Sequence, residues 1–143
     1  MSHPSRSLAF DLARVLLVDD DPTSRLTLKT VLEAGGYHVD AAASAAEAVG
    51  KMDEGEYELV LSDLQMESPE AGLKVLAHAR MMLYKPATAL IHTYQNSRPA
   101  PAPQQESVLI KPEAVPDLLG KVADLISQRA TRRLERELRL AGV

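Results

Sequence analysis

Two runs of branched aliphatic residues end in carboxylates: Val15-Leu16-Leu17-Val18-Asp19-Asp20-Asp21 and Leu59-Val60-Leu61-Ser62-Asp63. An unbroken apolar run of this length suits a parallel strand buried on both faces, because neither face meets water. Acids placed directly at the ends of such strands carry a desolvation cost that a cation offsets. Ligand sites in open parallel α/β sheets lie at the carboxyl ends of adjacent strands, so these runs predict both a fold and a place for its site. A third run, Val108-Leu109-Ile110-Lys111-Pro112, ends in a lysine instead.

The segments between the runs complete a βα alternation. Asp21-Pro22-Thr23 pairs a capping residue with proline at the first helical position, and Leu26, Leu28, Val31 and Leu32 give the helix an apolar side before Gly35-Gly36 ends it. Tyr37 to Ala42 reads as a weaker strand, and Ser44 caps an Ala-rich helix that stops near Gly55. After the strand from Glu58 to Asp63, a helix is predicted from about Glu70 to Tyr84, broken by Pro86. Ala87 to His92 and Val108 to Ile110 are further strands, and the last helix runs from about Pro116 to Leu140. Residues 95–107 contain three alternating prolines and are expected to form an extended loop, so the fourth crossover lacks a convincing helix. Repeated βαβ units imply a parallel sheet with right-handed crossovers and helices on both faces.

Bulk properties narrow the class. At 143 residues the chain is long enough for one domain with one core. Aromatic residues make up only 3%, so Leu, Val, Ile and Ala must build that core. No stretch approaches the ~20 apolar residues of a membrane span, and the opening Met1-Ser2-His3-Pro4 lacks the apolar stretch of a secretory signal. The absence of Cys excludes disulfides and thiolate metal sites, and the net charge of −4 gives no overall case for nucleic acid. A cytoplasmic protein, off the membrane, is the expectation.

The strand ends carry the chemistry. Magnesium takes near-octahedral oxygen ligands and keeps several waters, so two or three carboxylates and one backbone carbonyl suffice. Asp19 and Asp20 supply one side and Asp63 the other, with the carbonyl of Gln65 placed to turn inward. Lys111 is a mobile point charge suited to a phosphoryl or carboxylate oxygen. An aspartate held between a metal and a lysine is also a competent nucleophile toward phosphorus. Asp21 reads as a helix cap rather than a ligand.

These residues resemble the receiver domain of two-component response regulators. The resemblance rests on Val-Leu-Leu-Val-Asp19-Asp20-Asp-Pro, Ser-Asp63-Leu-Gln-Met66, Gly72-Leu73 and Leu-Ile-Lys111-Pro112, and covers about residues 14–127. It implies a doubly wound α/β fold with a five-stranded parallel sheet in the order 2-1-3-4-5. It implies that Asp63 accepts phosphate from a histidine kinase, a histidine phosphotransfer protein or a small phosphodonor. It implies that Asp19 and Asp20 hold Mg²⁺, with Asp20 and the Gln65 carbonyl as direct ligands, and that Lys111 contacts the phosphoryl group next to a cis Lys111-Pro112 bond. No enzymatic activity is implied beyond the chain's own phosphoryl transfer and dephosphorylation.

Several positions depart from the family pattern. The loop after Asp63 reads Leu-Gln-Met66-Glu67-Ser-Pro69 and is one residue longer before Gly72. The family's switch position, a Thr or Ser at the end of the fourth strand, falls on His92 or Thr93. Val108 stands where an aromatic is common, and the helix of the fourth crossover is degenerate or replaced by the Pro-rich loop. The last helix carries Leu118, Leu119, Val122, Leu125 and Ile126 for packing, then continues past Ser127 with Arg129, Arg132, Arg133, Arg136 and Arg139 among Leu134 and Leu138. That tail reads either as a solvated extension or as a helix for a partner or for self-association.

The expected organisation is a lead-in at 1–13, a receiver domain at 14–127 and a helical extension at 128–143. The expected function is Mg²⁺-dependent phosphorylation on Asp63, with output through contact with an unidentified protein. The rival is a phosphorylation-independent interaction module on the same scaffold. A phosphatase-like hydrolase ranks lower, because Gln65 stands where a general acid would be needed.

Overall fold

A computed structural model of the chain describes residues 13–64, 66–68, 70–91, 109–110 and 115–142. Its elements alternate: β1 (Arg14–Val18), α1 (Pro22–Ala34), β2 (His38–Ala42), α2 (Ala45–Glu54), β3 (Leu59–Asp63), α3 (Ala71–Met81), β4 (Ala87–Ile91), β5 (Leu109–Ile110) and α4 (Val115–Leu140). The strands pair in parallel in the order β2-β1-β3-β4-β5, with β5 contributing a two-residue ladder beside Leu90 and Ile91. The lead-in at 1–12, Gln65, the switch positions His92 and Thr93, the 95–107 loop, Val108, and Lys111-Pro112 lie outside the described residues.

The pleat of each strand divides the core in two. Val15 and Leu17 of β1 point to one face with Leu59 and Leu61 of β3, and α1 and α4 cover them with Leu28, Leu32, Leu118 and Val122. Leu16, Val18 and Val60 point the other way, under Met52 of α2 and Val75 and Leu76 of α3. Both faces are therefore dry, which is why the two runs had to be apolar throughout.

Local chemistry sets the helix ends. Asp21 adopts extended backbone and accepts from the Ser24 amide, with Pro22 behind it at the first helical position. Ser44 caps α2 by accepting from the Glu47 amide, and the Glu47 carboxylate accepts from the Ala43 amide just ahead of the cap. The third helix is shorter than its sequence pattern. It ends at Met81 rather than Tyr84, because Met82 turns extended and Lys85, at φ 46°, closes a tight turn ahead of Pro86. A residue before proline is disfavoured in the helical region, so the chain leaves the helix early.

The final helix runs unbroken through Ser127, with no structural boundary there. Its Leu118, Val122 and Leu125 are buried on the sheet. Arg129 is the last buried residue, and every described residue after it is exposed.

Candidate metal and phosphoryl site

The order of the strands reverses at β1, which lies between β2 and β3. A crevice forms at such a switch point beyond the carboxyl ends of the strands. Asp19 and Asp20 follow β1 there, and Asp63 closes β3. One carboxylate oxygen from each of the three lies within 4.8 Å of the other two. Asp19 is fully buried and Asp63 is 4% exposed, whereas Asp20 faces solvent.

Backbone pairing fixes these side chains in place. The Asp19 amide donates to the Ala42 carbonyl at 3.0 Å, prolonging the β1–β2 ladder by one bond. Its carbonyl accepts from the Arg25 guanidinium at 2.9 Å, and its Oδ1 accepts from the Asp21 amide at 3.0 Å. Asp63 is in register with Ile91, and the Leu64 amide donates to the Ile91 carbonyl at 2.9 Å. The buried Ser62 hydroxyl donates to the Asp63 carbonyl. Helix α3 comes in close at this point: a Cβ on Gly72 would sit 2.8 Å from that same carbonyl. Glycine is therefore required at 72 by approach, not by dihedral angle.

Electrostatically the cluster is unbalanced. Burial raises the Asp19 carboxyl above the ordinary carboxylate value, and the charges of Asp20 and Asp21 add to the rise. The Asp21 amide and a hydrogen bond shared with Asp63 act in the opposite direction. That shared bond requires a proton on one of the pair. With both carboxyls ionised, the buried Oδ2 of Asp19 has no donor to accept from among the described residues. A buried acceptor without a donor costs about 1–3 kcal/mol. A cation removes that cost without a proton, and an all-oxygen set of hard carboxylates suits Mg²⁺ and its class of ion. The donor set therefore fits the group that the sequence implied.

Of the sequence-predicted residues, the structure brings Asp19, Asp20 and Asp63 together. Asp21 serves as the helix cap, as its position beside Pro22 suggested. Two contacts were not legible. Arg25 lies one turn into α1, where its sequence reads as an ordinary solvent-facing residue. Glu67, in the lengthened loop after β3, accepts from the Ala45 amide at 3.2 Å and ties that loop to the start of α2. No local pattern announces a contact across that distance.

A carboxylate triad at the switch point of a parallel α/β sheet is an arrangement that could hold a divalent cation. The chain matches the model of the response regulator receiver domain over residues 15–122, and it belongs to that family. It is 38% identical over 78 residues, 54% of this chain, to a gliding motility regulatory protein of Myxococcus xanthus. It is 30% identical over 127 residues, 87% of this chain, to the transcriptional regulatory protein GlrR of Escherichia coli. The chain spans only 10% of the former and 28% of the latter. Among solved structures, the response regulator TrrA of Thermotoga maritima, in complex with Mg²⁺ and BeF, is similar with a TM-score of 0.65 and 29% identity, covering 80% of this chain and 99% of that one. Among the described residues no helix is long and apolar enough to cross a membrane.

Proposed function

We propose that this chain is a phosphoacceptor receiver whose Asp63 takes up a phosphoryl group in a Mg²⁺-dependent reaction. The observation that carries this reading is the convergence of Asp19, Asp20 and Asp63 oxygens within 4.8 Å, two of the three residues buried. A purely structural module has no use for so costly a cluster. Asp19, Asp20, Asp63 and the Gln65 carbonyl would hold the ion, which when bound supplies neutralising charge between these carboxylates and an incoming phosphoryl group.

An oxygen of Asp63 attacks phosphorus. The bond from phosphorus to the donor's imidazole nitrogen or acyl oxygen breaks, and the donor leaves with its electron pair. Positioning and charge neutralisation do the work, with little covalent chemistry left to the protein. Lys111 would pair with a phosphoryl oxygen, and the side chain at the switch position, Thr93 or His92, would follow. The phosphodonor would be a histidine kinase or a histidine phosphotransfer protein in the cytoplasm. Output would be a shift in protein contacts through a population change between two loop arrangements, not a separate enzymatic activity. Residues 14–127 would form this unit around a full five-stranded sheet, with the Pro-rich 95–107 segment in place of the usual crossover helix and 128–143 as an extension.

Thermal unfolding with Mg²⁺, and with Mg²⁺ plus beryllofluoride as a phosphoryl mimic, tests the assignment. Wild type should gain stability from Mg²⁺ and gain again from the mimic, while Asp63→Asn loses the second gain. No response to either addition in wild type would remove the proposal and leave the phosphorylation-independent module standing.

A further inference from the structure

The side of α4 that packs on the sheet changes character part-way along the helix. At about 100° per residue, Leu118, Val122 and Leu125 share one side, and all three are buried. Arg129, Arg132, Arg133 and Arg136 continue that same side, within an arc of about 100°. Leu134 and Leu138 lie on the opposite side. An apolar stripe thus becomes a cationic one after Leu125. Like charges three and four residues apart on a helix repel, so such a stripe is unfavourable unless an anion meets it.

The four arginines line a hollow of about 110 Å³ whose other wall is the turn between α3 and β4, Leu83 to Lys85. No carboxylate lines it among the described residues. Arg129, the buried member, donates to the Lys85 and Tyr84 carbonyls, so neutral acceptors hold it and no carboxylate touches it. The acids its charge feels most are Glu58 and Glu56; neither lines the hollow, and Glu58 already accepts from the Arg14 amide at 3.2 Å. Arg133 approaches Glu137 only to 3.9 Å, with both side chains exposed. Arg132 and Arg136 form no ion pair among the described residues. The Lys85 ammonium donates to the Arg80 carbonyl at 2.7 Å, which leaves the arginines as the donors to the hollow.

We propose that this hollow binds a small phosphate-bearing anion, held by the guanidinium forks of Arg129, Arg132, Arg133 and Arg136. Planar forks match phosphate oxygens two at a time, and a concave surface lined by one sign of charge concentrates the opposite ion. The volume is several times the ~10–15 Å³ that a single water needs, so a tetrahedral oxyanion fits. Charge around the hollow selects a small ligand over an extended one. The neighbouring groove beside Met81 shares Leu83 and Tyr84 with it and is rimmed by Asp53, Glu54 and Glu56. Residues 128–143 hold five arginines and two glutamates, a net +3, whereas the whole chain carries −4, which leaves −7 on residues 1–127. A duplex or a membrane surface would lie against these acids as well; a small anion does not. All four arginines belong to the extension at 128–143, which gives that extension a use, and an occupant would fasten it to the α3–β4 turn. The site lies at the amino end of β4, away from Asp63, and stands independently of the phosphoacceptor reading.

Isothermal titration calorimetry of the full chain with inorganic pyrophosphate tests this, in buffer containing EDTA so that no Mg²⁺ serves the carboxylates or the probe. Wild type should bind one equivalent, more weakly as salt rises. Arg132→Gln with Arg136→Gln, both exposed and so dispensable for folding, should weaken binding about tenfold or more. Lys74→Gln with Lys121→Gln removes the same charge from exposed positions elsewhere and should stay within about twofold of wild type. Asp63→Asn should bind as wild type does. No binding by wild type overturns the proposal, as does an equal loss in the two double variants or a loss in Asp63→Asn. A tighter hold on duplex DNA or on anionic vesicles than on pyrophosphate overturns it too.

Discussion

Arg129 offers the sharpest energetic test, because a buried guanidinium joins the last helix to the turn that begins β4. Its Nε donates to the Lys85 carbonyl at 2.9 Å and its Nη2 to the Tyr84 carbonyl at 2.7 Å. The residue is only 9% exposed, and burial lowers its pKa from a value so high that it stays charged. The substitution to make is Arg129→Met, which keeps the aliphatic stem and deletes the donors. Hydrogen bonds from a charged donor contribute about 1.5–3 kcal/mol each, giving a ceiling of about 3–6 kcal/mol. Two effects reduce it. Lys85 is exposed and Tyr84 half-buried, so water can reach the released carbonyls, and the variant no longer buries a charge. A loss of about 2 kcal/mol remains, or roughly 4–8 °C in Tm for a domain of this size. Far-ultraviolet circular dichroism will follow the melt, as the chain lacks Trp. Arg129→Lys, with charge but no fork, should fall in between. A methionine variant that melts within about 1 °C of wild type would refute the clamp, as would a lysine variant equal to wild type.

Other perturbations probe the site and its supports. Gly72→Ala drives a methyl against the Asp63 carbonyl; it should cost about 1–3 kcal/mol and slow phosphoryl uptake, and denaturant melts with uptake rates unchanged would remove that packing argument. Asp40 is held below the ordinary carboxylate range chiefly by the Tyr57 hydroxyl at 2.7 Å; burial opposes this, and Arg14 at 3.1 Å adds to the lowering. Its folded pKa is depressed, so its stabilisation is fully present above its unfolded value near 3.8 and is lost as pH falls through the folded one. Asp40→Asn should therefore flatten the acid limb of stability below about pH 4, and a limb identical to wild type would contradict the assignment. Lys111→Ala should still fold yet lose the stabilising response to Mg²⁺ and beryllofluoride; a full response would take Lys111 out of the site.

Much of this was readable before any coordinates. The apolar runs at 15–18 and 59–61 could serve only a sheet covered on both faces, and acids at their ends had to meet at its carboxyl edge. Asp21-Pro22 and Ser44 marked two helix starts, because capping is chemistry among neighbours in sequence. The end of α3 was misjudged by three residues, since Leu83 and Tyr84 continue an apolar pattern while Pro86 acts on the residue before it. Arg129 read as one of five similar arginines; only the placement of the α3–β4 turn beneath it makes it a clamp. Glu67 and the acidic groove beside Met81 are likewise products of tertiary placement, invisible to spacing along the chain.

The central claim is a chemical one about a single carboxylate. Intact-mass spectrometry after incubation with acetyl phosphate, with and without Mg²⁺, on wild type and Asp63→Asn, tests it most directly. The account predicts one phosphoryl adduct on wild type that depends on the metal and is absent from the variant. An adduct that persists on Asp63→Asn, or none on wild type in the presence of Mg²⁺, would contradict it.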